Sequence, residues 1–203
     1  MAVTKTLPTD VLESVAAQIS DRLQPLSNED PDLLVPESVV PSAPEIGESF
    51  EVWKLIPDAM DEIENGNLDI TKLARPAGIW HHQLRENGQA FGFARSKPLG
   101  ADAASWSVRD VFTSELAAKI DMAIGWIDER IPDDEVEVRL LSIPIQQVEA
   151  FWFVSKDPEV PSEWNNQLLI IHSREAIEEL GRQIDSESFL ASLPAQPRGM
   201  GIR

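Results

Sequence analysis

The sequence predicts an α+β protein with a mostly antiparallel sheet of about five strands and helices packed on it. An N-terminal helix and a proline-rich acidic strap precede this core. Three observations predict the class. Some segments repeat apolar residues at helical spacing, and others alternate or are continuously apolar. An Asn-Gly pair joins two strand-like segments. Strand-like segments also follow one another in groups, which favours antiparallel pairing over a βαβ pattern.

The first predicted element is a helix from Asp10 to Leu23, with Thr9 as its N-cap. Its apolar stripe consists of Leu12, Val15, Ala16, Ile19 and Leu23. Residues 24–49 are rich in proline and acid, which predicts an extended linker or a strap laid over the surface. We therefore expect three segments: 1–49 as helix and linker, 50–194 as a single α+β domain, and 195–203 as a flexible tail.

The next predictions are a second helix and a hairpin. The helix runs from Phe50 to about Glu64, and Pro57 either kinks it or divides it into two short helices. The hairpin pairs residues 79–86 with 89–95 through a type I′ turn at Asn87-Gly88. Simple alternation then assigns one face to Trp80, His82, Leu84, Phe91 and Phe93, and the opposite face to His81, Gln83 and Arg85.

The C-terminal half continues with a helix that begins at Ser107 or Thr113 and ends near Arg130. Strands are predicted at 135–143, 148–154 and 167–171. The last two are apolar on both faces, so we expect cover on both sides of the sheet. A final helix is predicted from Arg174 to Ile184, with Ser173 as its cap, and a further turn over 186–193.

The charge of the chain limits its partners. The formal net charge is −18, from 35 acidic and 17 basic residues. Such a surface repels phosphate backbones and anionic lipids, so neither nucleic acid nor a membrane is expected as a partner. A basic protein would be attracted. Cysteine is absent, no apolar run is long enough to span a bilayer, and the first residues do not resemble a signal peptide. We therefore expect a cytoplasmic location.

Few residues suit catalysis. The histidines are His81, His82 and His172, and adjacent strand residues point to opposite faces. His172, at a strand end, and His81 are the candidates for acid–base chemistry, which requires a carboxylate nearby. No nucleotide-binding, nucleophile-elbow or zincin motif occurs, so neither a cofactor nor a metal is predicted.

The candidate binding residues lie in two places. Trp106 and Trp164 are expected in loops, where an indole ring provides a large contact area. The tail contains Met200, Ile202 and Arg203, which are suited to docking in a groove near acids; the alternative is a solvated tail.

We therefore expect a non-catalytic interaction or accessory protein, such as an acidic adaptor, inhibitor or chaperone-like binder of a basic partner. The alternative is a small hydrolase or transferase that uses His172 or His81 with nearby carboxylates. A homodimer is a third option.

Overall fold

The computed structural model describes residues 7–29, 44–100, 102, 105–113, 115–131, 135–157, 159, 161–173 and 183–193. Within these residues the chain forms one eight-stranded sheet in the order β4-β3-β2-β1-β5-β6-β7-β8. The strands are β1 Glu45–Leu55, β2 Ala74–Glu86, β3 Gln89–Pro98, β4 Trp106–Thr113, β5 Val136–Ile143, β6 Val148–Ser155, β7 Gln167–His172 and β8 Gln183–Asp185. The helices are α1 Thr9–Glu29, α2 Ala59–Glu64, α3 Ile70–Leu73, α4 Glu115–Arg130 and α5 Ser186–Ser192.

The α+β class with an N-terminal helix is confirmed, but the predicted sheet of about five mostly antiparallel strands is wrong. The sheet has eight strands and is mixed, because β1 and β5 pair in parallel at its centre. Helix α4 connects β4, at one edge, to β5, in the middle. That crossover brings β5 beside β1 in the same direction.

The second predicted helix is wrong over most of its length, because the segment from Glu45 to Leu55 is a strand and only Ala59–Glu64 is helical. The third helix is confirmed as Glu115–Arg130, close to the Thr113 start; the Ser107 start is wrong, because Trp106–Thr113 is a strand. Short apolar runs match both helical and strand spacing, and packing in the sheet decided between them here.

The structure also changes the end of the strap and the last predicted helix. Helix α1 extends to Glu29 and β1 begins at Glu45, so both ends of the predicted strap have regular structure, and residues 30–43 lie outside the described residues. Residues 174–182 lie outside the described residues, and Gln183–Asp185 forms β8, so Ile184 is not helical. The turn expected over 186–193 is confirmed as α5. The division at residues 49 and 194 stays a prediction.

The predicted β2–β3 hairpin is confirmed, but its faces are not. Asn87 and Gly88 both have positive φ, as a type I′ turn requires. Leu84 pairs with Gly92 and Arg85 with Ala90, so Phe91 is an extra residue in β3. This β-bulge reverses the alternation beyond it. Phe93 therefore pairs with Gln83 and lies on the face of His81, not on the face of Trp80.

The sheet is strongly curved around α4. This helix contacts both β3 and β7, and Arg95 of β3 reaches Glu149 of β6 at 3.9 Å. Four interstrand steps separate those strands, about 19 Å in a flat sheet. We call the concave face that packs on α4 the inner face. Its core residues are Phe50, Val52, Ile120, Ala123, Ile127, Ile131, Val136, Val138, Leu140, Phe151, Phe153, Leu169 and Ile171.

The opposite, outer face is covered in two places. Helices α2, α3 and α5 cover the end formed by β5, β6 and β7. Helix α1 covers the other end, where Val11, Val15 and Ile19 pack on Trp80 and Val108. The Gln18 side chain donates to the Trp106 carbonyl and accepts from the Val108 amide, which ties α1 to the edge strand β4. Cover on both faces was expected from the apolar strands. No helix among the described residues has the length and apolar character needed to cross a membrane.

If α1 is an integral part of this core, truncating its central residue should destabilise the whole protein. Ile19 is fully buried. We expect Ile19→Ala to lower the free energy of unfolding by about 2–4 kcal/mol in a urea titration. The exposed control on the same helix, Glu13→Ala, should change it by less than about 0.5 kcal/mol. Equal stability of the two variants would contradict the packing role of α1.

Candidate functional site

A group of polar side chains interrupts the apolar inner face of the sheet. We call it the inner polar cluster, and it consists of Lys54, His81, Arg95, Ser142 and Glu149. These residues come from β1, β2, β3, β5 and β6 in that order. They meet because the sheet is curved, although three of the five strands are not adjacent to the strand of Glu149.

Glu149 is at the centre of this cluster. Its Oε1 accepts a hydrogen bond from Ser142 Oγ at 2.8 Å and lies 3.9 Å from Arg95 Nη2. Burial raises the pKa of Glu149, and the Ser142 hydrogen bond and the charges of Arg95 and Lys54 oppose this rise. The carboxylate is therefore held by several partners instead of one tight ion pair.

His81 pairs with Arg95 across strands β2 and β3 and is 1% exposed. Its ring stacks on Phe93 with 4.5 Å between centroids, and neither ring nitrogen has a hydrogen-bond partner. Burial, followed by the charge of Arg95, lowers the pKa of His81 to about 3. The imidazole is therefore neutral near pH 7, and a solvent-borne substrate does not reach it in this structure.

His82 points to the outer face and has a structural role. Its Nδ1 lies 2.9 Å from Ser49 Oγ, and its Nε2 lies 2.7 Å from Ser96 Oγ. Both ring nitrogens are thus satisfied, and the ring links β1, β2 and β3. Burial lowers the pKa of His82 to about 4.

His172 is the more accessible of the two catalytic candidates. It is the half-buried last residue of β7, and its backbone pairs with that of Glu149 next to a register shift between β6 and β7. Strands β1, β5 and β6 separate it from the strand of His81. The two candidate histidines are therefore not neighbours, but Glu149 lies between them.

The tryptophans proposed for binding are half-buried and each contacts another tryptophan. Trp106 is the first residue of β4, and its ring lies 6.2 Å from that of Trp80. Trp164 lies in the turn before β7, with its ring 5.8 Å from that of Trp126. A binding role for both stays a prediction. Met200, Ile202 and Arg203 lie outside the described residues.

Two surface grooves are lined by described residues. The first, which we call the α4 groove, lies between α4 and β7, has a volume of about 240 Å³ and is lined by Lys119, Met122, Ala123, Trp126, Leu169, Ile170 and Ile171. Met122 is 76% exposed at its rim.

The second, the α2 groove, lies beside α2 and the 3₁₀ turn Pro144–Gln146, and its volume is about 150 Å³. Its lining residues are Lys54, Leu55, Ile56, Pro57, Ala59, Met60, Ser142, Ile143, Pro144, Ile145 and Gln146. Both grooves are smaller than the roughly 300–1,000 Å³ of drug-sized ligand sites.

Exposed acids outnumber exposed bases among the described residues. The exposed acids of the described residues are Asp10, Glu13, Asp21, Glu45, Asp58, Asp61, Glu62, Glu64, Asp102, Asp110, Asp128, Glu129, Glu135, Asp157, Glu159, Glu163, Asp185 and Glu187. The exposed bases of the same part of the chain are Arg22, Lys72, Arg75, Arg109, Arg130 and Lys156. Acid therefore dominates what a partner would meet.

Many basic side chains are held by contacts within the chain. Arg139 binds Glu137 at 2.8 Å and lies over the rings of Trp53 and Trp152. Arg85 contacts Asp121 of α4. Arg75 donates to backbone carbonyls of Thr71 and Ala74, Lys72 contacts Asp69, and Arg130 contacts Glu129 and the Trp126 ring.

Within the described ranges, no group of three or more histidines and acids is arranged so that it could hold a metal ion. Comparison with known protein families, curated proteins and solved structures finds no match for this chain.

Sequence reasoning missed Arg95 and Glu149. Glu149 had a detectable signal, because it is a charged residue at the start of an otherwise apolar strand. Arg95 had none, since its partner lies four strands away in the sheet.

Acid should destabilise the protein through its buried histidines. Because the pKa of His81 is about 3 in the folded state and about 6.5 in the unfolded chain, the unfolded state binds more protons between these values. Stability is therefore lost as pH falls below about 6.5. In urea titrations from pH 6 to pH 4, His81→Leu should reduce the slope of unfolding free energy against pH by up to about 1.4 kcal/mol per unit. The packing control Phe93→Leu should retain the wild-type slope, and parallel curves for His81→Leu and wild type would contradict a buried neutral imidazole.

Proposed function

We propose that this chain is a non-catalytic accessory protein whose acidic surface binds a basic protein partner. The observation that supports it most is the charge distribution. Acids cover the described surface, whereas Arg85, Arg95 and Arg139 are engaged within the chain. Opposite charges on two surfaces accelerate encounter and exclude partners of the same sign. An adaptor, an inhibitor and a chaperone-like binder all fit this description. We keep the expectation of a cytoplasmic location.

The shape of the grooves supports the same proposal. The α4 and α2 grooves are small and mainly apolar, so they suit single side chains of a partner better than an enclosed substrate. Met122 and Ile145, at their rims, are more than two-thirds exposed. Exposed apolar residues surrounded by polar ones are typical of protein interaction sites.

The proposal predicts a basic partner and a salt-dependent association. Tagged chain would be used to capture proteins from the native host, and captured proteins would be identified by mass spectrometry. We expect a partner with a net positive charge. Its association rate constant should fall at least about tenfold between about 0.05 M and about 0.5 M salt, because salt screens surface charge. An acidic partner, or a rate that does not respond to salt, would exclude this function.

The second candidate function is a small hydrolase or transferase, and one observation favours it. His172 and Glu149 are directly paired on neighbouring strands, and Ser142 holds the carboxylate. An imidazole beside a carboxylate of raised pKa is an arrangement used in acid–base catalysis. His81 is too buried to touch a substrate, so a role for it would be indirect.

For this alternative, His172→Ala should abolish any activity found in a broad substrate screen. Glu149→Gln should reduce it by at least about a hundredfold, because general acid–base groups contribute on that order. Far-ultraviolet circular dichroism and a urea titration would show that both variants remain folded. Full activity of the folded His172→Ala variant would eliminate the role of His172.

A further inference from the structure

We propose that the α2 groove is the docking site for the basic partner, and that it takes a segment with aliphatic side chains next to lysines or arginines. The inference rests on the proposed function and narrows it to one surface. The groove combines an exposed apolar anchor and an apolar floor with exposed acids on the α2 segment, and each of these features can be derived from the local structure.

The apolar anchor is Ile145, which is 72% exposed. It lies in the tight connection between β5 and β6, where Ile143 pairs with Val148. Pro144 ends β5, Gln147 adopts a left-handed conformation with φ of 52°, and the Gln147 amide donates to the Pro144 carbonyl at 3.1 Å. The turn is therefore internally fixed and holds an isoleucine side chain in solvent, where it gains nothing from folding.

The floor of the groove is formed by a short helix that is firmly attached to the sheet. Ala59 of α2 is buried, and Ile63 packs on the outer-face core beside Ile56. Met60, one residue along from Ala59, is half-buried and faces the groove. Because the helix is fixed by its buried side, the position of Met60 relative to Ile145 is preorganised, which reduces the entropy lost on binding.

The segment that contributes Pro57, Ala59 and Met60 to the groove also carries exposed acids. Asp58, Asp61, Glu62 and Glu64 of the α2 segment are all exposed. One base, Lys54, lines the groove together with Ser142, whose hydroxyl donates to Glu149. The charge of Lys54 therefore faces the Glu149 carboxylate at this wall, and the acids of the α2 segment are the exposed charges beside the groove. A partner segment with lysine or arginine beside its aliphatic residues would complement both parts.

The α4 groove fits this partner less well. Lys119 lines it, and Arg130 lies over the ring of Trp126, which is also part of the lining. A basic segment would therefore meet two positive charges there, compared with Lys54 alone in the lining of the α2 groove. The difference makes the α4 groove a matched control for the α2 groove, because Met122 and Ile145 are similarly exposed.

The probe for the test is a fluorescein-labelled peptide of the sequence Lys-Lys-Leu-Lys-Leu-Leu-Lys-Lys. Two control peptides replace its lysines by glutamates or its leucines by serines. Fluorescence anisotropy with the full chain measures affinity, and ¹H–¹⁵N spectra locate the bound peptide. We expect saturable binding by the first peptide alone, with the largest shift changes at Met60 and at residues 145–147.

Point variants of the full chain separate the groove from the general acidic surface. Ile145→Ser should weaken binding by at least about tenfold, as expected for an interface anchor, whereas Met122→Ser should leave it within about twofold. Both residues are exposed, so neither change should affect folding, and a urea titration checks this.

Neutralising the exposed acids of the α2 segment should have the same effect as removing the anchor. Asp58→Asn, Asp61→Asn and Glu62→Gln together should weaken binding more than a control that removes the same charge elsewhere. That control combines Glu13→Gln, Asp21→Asn and Asp128→Asn.

The remaining outcomes overturn the inference in distinguishable ways. If both charge variants lose the same peptide affinity and Ile145→Ser has no effect, the α2 groove is excluded as the docking site but the proposed function is intact. If no peptide and no host protein binds in a salt-sensitive way, both the docking site and the proposed function are excluded. If the double variant Met200→Ser, Ile202→Ser binds the peptide more tightly, the tail of the chain is the occupant of the α2 groove. If Ile145→Ser changes the protein from dimer to monomer in sedimentation, the occupant is a second copy of the chain. Either result rules out the basic partner as the primary occupant of the groove.

Discussion

Helix α4 contacts β3 on one side and β7 on the other, although four strands separate these two in the sheet. This packing requires a strongly curved sheet. Bulges in the pairing of β1 with β2, β2 with β3, β3 with β4 and β6 with β7 increase the local twist and allow the curvature. Burial of the inner-face residues against α4 supplies the favourable free energy. The core, the inner polar cluster and the positions of both surface grooves follow from this arrangement.

Curvature also explains how polar residues come together inside an apolar face. A flat sheet would hold Arg95 and Glu149 too far apart to interact. In the curved sheet these groups share one small region of low polarity. Their charges are then balanced by one another, because a buried charge without a partner would be strongly destabilising.

Exposed acids outnumber exposed bases in the described part of the molecule. Arginines such as Arg139 and Arg85 stack on rings or bind carboxylates near the sheet, whereas most of the acids are exposed. At the α2 groove, Lys54 and Ser142 line the wall beside Glu149, and the acids of α2 are exposed. A surface organised in this way combines long-range attraction of a basic partner with a local apolar contact that can select it.

Local chemistry alone determined several features of this protein: its acidity, the Asn87-Gly88 hairpin, the body of α4 and the N-terminal helix. Each depends on residues close together in the sequence, and their spacing or turn preference is sufficient to specify it. The tertiary structure decided the rest. Phe50 joined a strand instead of a helix, and one extra residue at Phe91 moved Phe93 to the face of His81. The approach of Arg95 to Glu149 depends on four interstrand steps and the curvature accumulated over them. No local sequence pattern encodes the distance between Arg95 and Glu149, because that distance results from the packing of the whole sheet on α4.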